Sequence, residues 1–218
     1  MTMKKTTLIK ASLFVATIQC SSAAIIAGDV LRLDFGVNTL ATGYTGITAA
    51  TANTGSVTDI GGTGVNLSLA TNSSSAFGNS GATNAALGYF DANVARDFIH
   101  IYDTSIAEKT ITLTFSGLDS SLFYNLSLAQ GEFSNAGQVN GQTLTADSQS
   151  VGYGNNTYVS LTGLSADSSG NLEIVLTSNS GAAAIASLSG LNLRAVPEPT
   201  SMSLLGLGGL ALLARRKR

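Results

Sequence analysis

The sequence has 218 residues, 44% of them hydrophobic, and a formal net charge of −2 at pH 7. Its basic residues are concentrated at the two ends, so residues 25–195 carry only four of them against twelve acids, a net charge of −8. A segment this acidic repels nucleic acid and anionic lipid, which excludes them as expected partners.

The first 24 residues have the pattern of a secretory signal. A positively charged start precedes an apolar stretch, residues 8–18, and small residues follow at 22–24. That order is typical of a cleaved leader, and we expect signal peptidase to cut after Ala24. Lipidation of Cys20 is the alternative, although Gln19 stands where a lipoprotein signal has a small residue. Cleavage would remove Cys20, the only cysteine, and with it any disulfide or cysteine nucleophile.

Short runs of alternating apolar and polar residues follow, separated by clusters rich in Gly, Ser, Thr and Asn. Alternation of period two indicates strands with one face on a core and the other towards water. The clearest runs are residues 30–35, 65–69, 98–102, 110–115, 124–128, 158–161, 172–176 and 185–193. Between residues 36 and 80 we expect long loops with one or two strands, and at 82–90 a short helical turn. The pattern predicts an all-β fold, an antiparallel jelly-roll-like β-sandwich of about nine strands over residues 25–195.

Few side chains in this region indicate chemistry, and the sequence leaves the ligand-binding residues unknown. Sugar-binding candidates are the tyrosines and some polar neighbours, although Tyr is as common in half-buried strands. They are Tyr44, Tyr89, Tyr102, Tyr153, Tyr158, Asp91, Asn155 and Asn156. His100 is the sole histidine, so a histidine metal cluster is excluded, and between Ile99 and Ile101 its side chain is expected to point away from the core.

The acidic residues allow two further hypotheses. Asp91, Asp97 and Asp103 are close enough in sequence to supply paired carboxylates for glycan hydrolysis, but a solvated acidic loop explains them equally well. With Asp34 and Asp119 they also offer oxygen ligands for calcium, although no spacing matches a calcium loop. We therefore predict no catalytic residue, no metal and no cofactor.

The C-terminal residues 196–218 form a tail of three parts. Pro197, Glu198 and Pro199 hold the chain extended, because each proline lacks an amide donor and restrains the residue before it. An apolar segment at 203–214 comes next, and the chain ends on four cations, Arg215, Arg216, Lys217 and Arg218. Cations beside an apolar segment favour the cytoplasmic side of a membrane. A transmembrane tail anchor after a proline-rich linker is the alternative interpretation.

This tail resembles the PEP-CTERM sorting signal of Gram-negative bacteria. The resemblance covers roughly the last 23 residues, and Pro197, Glu198 and Pro199 match its motif residue by residue. It implies that an exosortase processes the chain at the motif after transient membrane contact through a short hydrophobic helix. The destination that it implies is the cell envelope, cell surface or extracellular matrix.

Residues 110–193 resemble part of a galactose-binding-like jelly roll. The segments that carry the resemblance are 110–118, 124–128, 139–142, 161–164, 172–176 and 185–193. That fold hosts binding, structural and accessory modules, so it does not fix a function. We expect a non-enzymatic surface or matrix protein associated with exopolysaccharide. The alternatives are a displayed carbohydrate-binding module and, more weakly, a small glycan hydrolase or lyase.

Overall fold

A computed structural model describes residues 25–36, 40–81, 88, 90–130, 141–154 and 156–197. The predicted signal helix and the predicted C-terminal hydrophobic helix lie outside these residues. Among the residues described, no helix is both long and apolar enough to cross a membrane.

The described chain is built mainly from strands, with two helices of one turn each and a single 3-10 turn. The helices are α1 (Ala49–Asn53) and α2 (Ala92–Ala95), and the 3-10 turn is Ile60–Gly62. The strands are β1 (Val30–Phe35), β2 (Thr45–Ile47), β3 (Ser56–Val57), β4 (Asn66–Thr71), β5 (Gly78–Gly81), β6 (Asp97–Ile101), β7 (Thr110–Ser116), β8 (Phe123–Gln130), β9 (Gln142–Ala146), β10 (Gln149–Tyr153), β11 (Thr157–Ser165), β12 (Leu172–Ser178), β13 (Ala186–Leu188) and β14 (Gly190–Val196).

These strands form three sheets. A five-stranded sheet has the order β11-β8-β14-β1-β2, a six-stranded sheet has the order β10-β9-β12-β7-β4-β3, and a three-stranded sheet has the order β13-β6-β5. Neighbouring strands are antiparallel except β1 and β2, which pair in parallel. The predicted antiparallel β-sandwich is confirmed, with one parallel pair at the edge of the five-stranded sheet.

The two larger sheets enclose one hydrophobic core. Leu33, Leu191 and Leu128 lie opposite one another on adjacent strands of the five-stranded sheet, and each is completely buried. Leu113 and Ile174 are register partners in the six-stranded sheet and belong to the same cluster. The period-two pattern therefore puts the inward side chains of both sheets into one apolar layer, which supplies most of the driving force for folding.

One buried tyrosine fixes a connection between the sheets. Tyr124 in β8 is completely buried, and its hydroxyl donates to the carbonyl oxygen of Asp119 at 3.0 Å while accepting from the Asp119 amide at 2.9 Å. Burial raises the pKa of Tyr124 to about 12. The neutral hydroxyl therefore pairs the Asp119 amide and adds a second donor to the Asp119 carbonyl oxygen, which also accepts from the Leu122 amide in the turn before β8.

The described residues contain more strand than the sequence pattern predicted. Residues 36–80, expected to be mostly loop, include α1, β2, β3 and β5 besides the expected β4. The run at 185–193 is two strands, because the backbone of Ser189 pairs with Phe35 and Ala129 and redirects the chain from one sheet to another. Most of the helical turn expected at 82–90 lies outside the described residues, and the helix nearby is α2.

Candidate functional site

The outer face of the five-stranded sheet carries a polar surface that remains open. Because successive side chains of a strand alternate, the residues between the buried leucines point outwards. Two rows lie side by side across β1, β14, β8 and β11, as fixed by the strand register. We call these residues the arginine face: Arg32, Asn192, Ser127 and Ser160 in one row, and Arg194 and Asn125 in the next.

The side chains of the arginine face combine cations, amides and hydroxyls. Arg32, Arg194 and Ser160 are exposed, and the hydroxyls of Ser127 and Ser160 are 2.8 Å apart. The Oδ1 atom of Asn192 is enclosed and accepts no hydrogen bond from any described residue. Such a surface offers donors and acceptors to a polar ligand.

The next row of the same face is covered. Ala129 in β8 packs with Ala41, Phe90 and Val94 in a separate small apolar cluster. Gly190 in β14 makes this possible, because a Cβ on residue 190 would lie 2.2 Å from Cγ1 of Val94. Helix α2 and the segment around residue 41 therefore close one end of the face and leave the arginine rows open.

Two buried carboxyl groups lie under this cover. Asp34 and Asp97 are 6% and 2% exposed, and Oδ2 of Asp34 accepts a hydrogen bond from the Ala41 amide at 3.0 Å. Burial raises the pKa of Asp34 to about 6, against the lowering effect of that hydrogen bond, and the charges of Asp97 and Asp91 raise it further. Because both groups are enclosed, they do not meet a polymer in this conformation.

The other aspartates considered for calcium have structural partners. Asp91 accepts from the Asn93 amide at the start of α2, and Asp119 accepts from the Ser121 amide and hydroxyl. Asp103 accepts from Ser73 and Ser105, and these hydrogen bonds hold its pKa at about 2. No group of three or more potential metal ligands is found among the described residues. The five candidate carboxylates are therefore distributed over strands β1 and β6 and several turns.

His100 lies on the outer side of β6, opposite in direction to the buried Ile99 and Ile101. Its strand neighbours are Gly78 and Ser187, and its ring meets the ring of Phe98 edge-on with centroids 5.7 Å apart. Burial lowers the pKa of His100. The side chain does point away from the main core, but it is half-buried.

The tyrosines proposed for sugar binding fall into different environments. Tyr102 and Tyr158 are 43% and 42% exposed, and Tyr44 is half-buried against the small cluster under α2. Tyr153, one of the sugar-binding candidates, ends β10 and is only 8% exposed in the main core, where burial raises its pKa. It therefore presents no face to a ligand. Of the remaining candidates Asn156 is exposed, whereas Tyr89 and Asn155 lie outside the described residues.

Among the candidate tyrosines that the structure describes, only Tyr158 adjoins the open rows. It is the register partner of Ala129 in β8, one row above Ser127 and Ser160 on the same face. The structure thus brings one predicted tyrosine to a site whose other members, Arg32, Arg194 and Asn192, were not predicted to bind a ligand. Their common face depends on the pairing of β1 with β14, which the sequence alone does not display.

Apart from the arginine face, a groove with a volume of about 740 Å³ lies on the outer face of the six-stranded sheet. Three of its lining residues are acidic: Asp147, Asp167 and Glu173. Asp147 accepts from the Ser165 amide, and Asp167 accepts from the amides of Ser169 and Asn171, which lowers its pKa. These two aspartates fasten turns at the rim of the groove.

The chain leaves the sandwich at the predicted sorting motif. Ala195 is completely buried and Val196 is the last residue of β14, whereas Pro197 follows the strand and is exposed. Glu198, Pro199 and the four terminal cations lie outside the described residues, as does Ala24 at the other end. The first part of the motif thus follows directly on the last strand of the fold.

Comparison with known proteins identifies this tail. Residues 195–218 match the PEP-CTERM protein-sorting motif. The motif indicates an exported protein of the cell envelope that is processed by an exosortase. No curated protein matches the chain significantly.

Solved structures share the fold of the described domain. Protein YXIM from Bacillus subtilis is 17% identical, with a TM-score of 0.50 over 78% of this chain and 40% of its own. The ANX1 ectodomain from Arabidopsis thaliana is 12% identical, with a TM-score of 0.51 over 78% of this chain and 48% of its own. The chain thus spans less than half the length of either protein, and at these identities the likeness shows the fold alone.

A sugar-bound structure is a more distant neighbour. The module TmCBM61, solved with β-1,4-galactotriose, is 8% identical, with a TM-score of 0.34 over 59% of this chain and 88% of its own. At that TM-score the likeness supports neither a common site nor a common ligand.

Proposed function

We propose that this chain is a non-enzymatic surface or extracellular-matrix protein of a Gram-negative-type bacterium. An exosortase releases it from its hydrophobic tail, and the sandwich then remains associated with exopolysaccharide. The observation that carries the proposal is the PEP-CTERM motif at residues 195–218. Its position supports processing next to a folded domain, because the strand ends at Val196 and Pro197 is exposed.

Processing is tested by measuring the intact mass of the protein from its native host. We expect the wild-type protein to lack residues 204–218 and to be found outside the inner membrane. A variant with Glu198→Ala should retain the full tail and remain with the membranes. Thr200→Ala, just outside the motif, is the matched control and should be processed normally. A wild-type protein that still carries residues 204–218 would contradict the proposal.

A displayed carbohydrate-binding module is the second candidate, favoured by the open rows of the arginine face. Sugars present hydroxyl groups that both donate and accept hydrogen bonds, and this face offers guanidinium, amide and hydroxyl groups without an apolar cover. Binding to a glycan array separates the two candidates. Micromolar affinity for a defined glycan supports a binding module, whereas surface display without such affinity supports a structural role.

A further inference from the structure

Two cations of the arginine face have no counterion among the described residues. Arg32 in β1 lies opposite Asn192, and Arg194 lies two residues further along β14, so the arginines are diagonal neighbours, roughly 7–8 Å apart at their Cα atoms. Both are exposed, and neither side chain forms a hydrogen bond or an ion pair with any described residue. Two of the four basic residues of a domain with a net charge of −8 therefore lie together, and no described side chain neutralises them.

The surroundings of the arginines suit a sugar more than a bare anion. The enclosed Oδ1 atom of Asn192 lacks a donor among the described residues, and the Ser127–Ser160 hydroxyl pair continues the row. A cleft of about 440 Å³ runs beside Arg32 at the edge of β1, with Asp29 and Thr63 also in its lining. At the other border of the rows stands Tyr158, 42% exposed. Polar groups and a partly exposed aromatic ring thus flank the two arginines.

We propose that the arginine face binds an acidic polysaccharide, with Arg32 and Arg194 paired to carboxylate groups of its sugars. This inference rests on the carbohydrate-binding candidate for the function. A guanidinium group donates two parallel hydrogen bonds to a carboxylate, a geometry that lysine lacks. The amide group of Asn192 and the hydroxyls of Ser127 and Ser160, which continue the row beyond Arg32, then contact the sugar hydroxyls.

The acidic residues on the opposite sheet do not oppose this ligand. Asp147, Asp167 and Glu173 line the outer face of the other sheet, and the two sheets of a sandwich pack about 10 Å apart. These charges are therefore separated from the arginine face by more than the Debye length of about 8 Å at physiological ionic strength. A uronate polymer also carries at most one carboxylate per sugar, a sparser charge than that of nucleic acid.

The test is the affinity of the full-length chain, kept in a neutral detergent, for oligogalacturonate and for its fully methyl-esterified form. The two probes share a backbone and differ in charge. We expect the acid form to bind at least about tenfold more tightly than the ester. Arg32→Gln and Arg194→Gln should each weaken binding of the acid form about three- to tenfold, and Arg32→Lys should fall between wild type and Arg32→Gln.

The matched control is Arg96→Gln. Arg96 is an exposed arginine after α2 and outside the two rows, so its loss changes the net charge equally. It should alter affinity less than twofold. Because all of these side chains are exposed, each variant should retain the wild-type melting temperature within about one degree.

Each contrary result has a distinct meaning. Equal affinity for acid and ester, unaffected by the arginine variants, would overturn the inference while leaving a carbohydrate-binding module in place. An equal loss in Arg96→Gln and Arg32→Gln would reduce the effect to net charge and overturn it too. If no glycan binds, but the arginines mediate binding to vesicles of phosphatidylglycerol and phosphatidylcholine or self-association, the occupant is a lipid surface or a second copy.

Discussion

Lys109 is completely buried, and its ammonium nitrogen donates a hydrogen bond to the carbonyl oxygen of Gly181 at 2.9 Å. It also donates to the carbonyl oxygen of Ala182 at 3.1 Å. The backbone of Lys109 also contacts β12, because its amide donates a hydrogen bond to the hydroxyl of Ser178 at 2.9 Å. A buried cation thus fastens the turn after β12 to the start of β7.

We expect Lys109→Met to destabilise the fold by about 1.5–3 kcal/mol, the usual range for hydrogen bonds to a charged group. Chemical denaturation measures this, and hydrogen exchange should quicken at the Gly181 amide, which donates to Ala107. Arg96→Met is the control, since Arg96 is exposed and its loss should change stability by less than about 0.5 kcal/mol. Unchanged stability and exchange in Lys109→Met would show that the ammonium group does not hold the turn.

Because the carboxyl group of Asp34 is buried, we expect the free energy of unfolding to depend on pH. Its pKa is raised from 3.8 to about 6 in the folded protein, so between these values the unfolded chain releases a proton that the folded chain retains. The stability that protonated Asp34 contributes to the folded state is therefore fully present below pH 3.8 and is lost as the pH rises through about 6. Asp34→Asn should remove this dependence and stabilise the protein at pH 7 by roughly 1–2 kcal/mol.

Unfolding free energies at pH 4.5, 5.5 and 7 test this expectation. The low pKa of Asp103, about 2, affects stability only in more acidic solution, so it does not obscure this window. Parallel profiles for wild type and Asp34→Asn would contradict the assignment.

The strands with large apolar residues were predictable, and those without them were not. β7 was expected at residues 110–115 and is found at Thr110–Ser116, because Ile111, Leu113 and Phe115 alternate with threonine and fill the core. β5, Gly78–Gly81, contains no large apolar residue and is held by its pairing with β6. Its sequence reads as a loop because its strand conformation depends on a partner rather than on its own burial.

The arginine face was beyond sequence reasoning for a related cause. Arg32 and Arg194 stand at opposite ends of the domain, and only the register of β1 with β14 places them together. The burial of Lys109 was equally unforeseen, since Glu108 and Lys109 have the composition of an exposed turn, and the carbonyl groups that bind the ammonium come from residues more than seventy positions away. Contacts of this kind depend on topology, which local patterns do not encode.

Helix α2 lies so close to Gly190 that the sheet has no room for a side chain at this position. Because a Cβ at this position would lie 2.2 Å from Cγ1 of Val94, Gly190→Ala should cost about 1–3 kcal/mol through overpacking. Adding Val94→Ala creates the missing space, so the double variant should be more stable than the sum of the two single changes predicts. Strictly additive free energies of unfolding would mean that the two residues do not compete for the same volume.

The two isoleucines after the predicted leader provide a test of where the mature chain begins. Ile25 is 1% exposed and belongs to the main core, whereas Ile26 is 67% exposed. Cleavage after Ala24 would preserve the buried residue, so N-terminal sequencing of the exported protein should begin at Ile25.

Ile25→Ser should then lower the free energy of unfolding by about 2–4 kcal/mol, because it removes a buried side chain and introduces a hydroxyl into an apolar site. Ile26→Ser, the adjacent control, should change it by less than about 0.5 kcal/mol. A mature chain that starts after Ile25, or equal effects of the two substitutions, would refute the expected cleavage site and the role of Ile25 in the core.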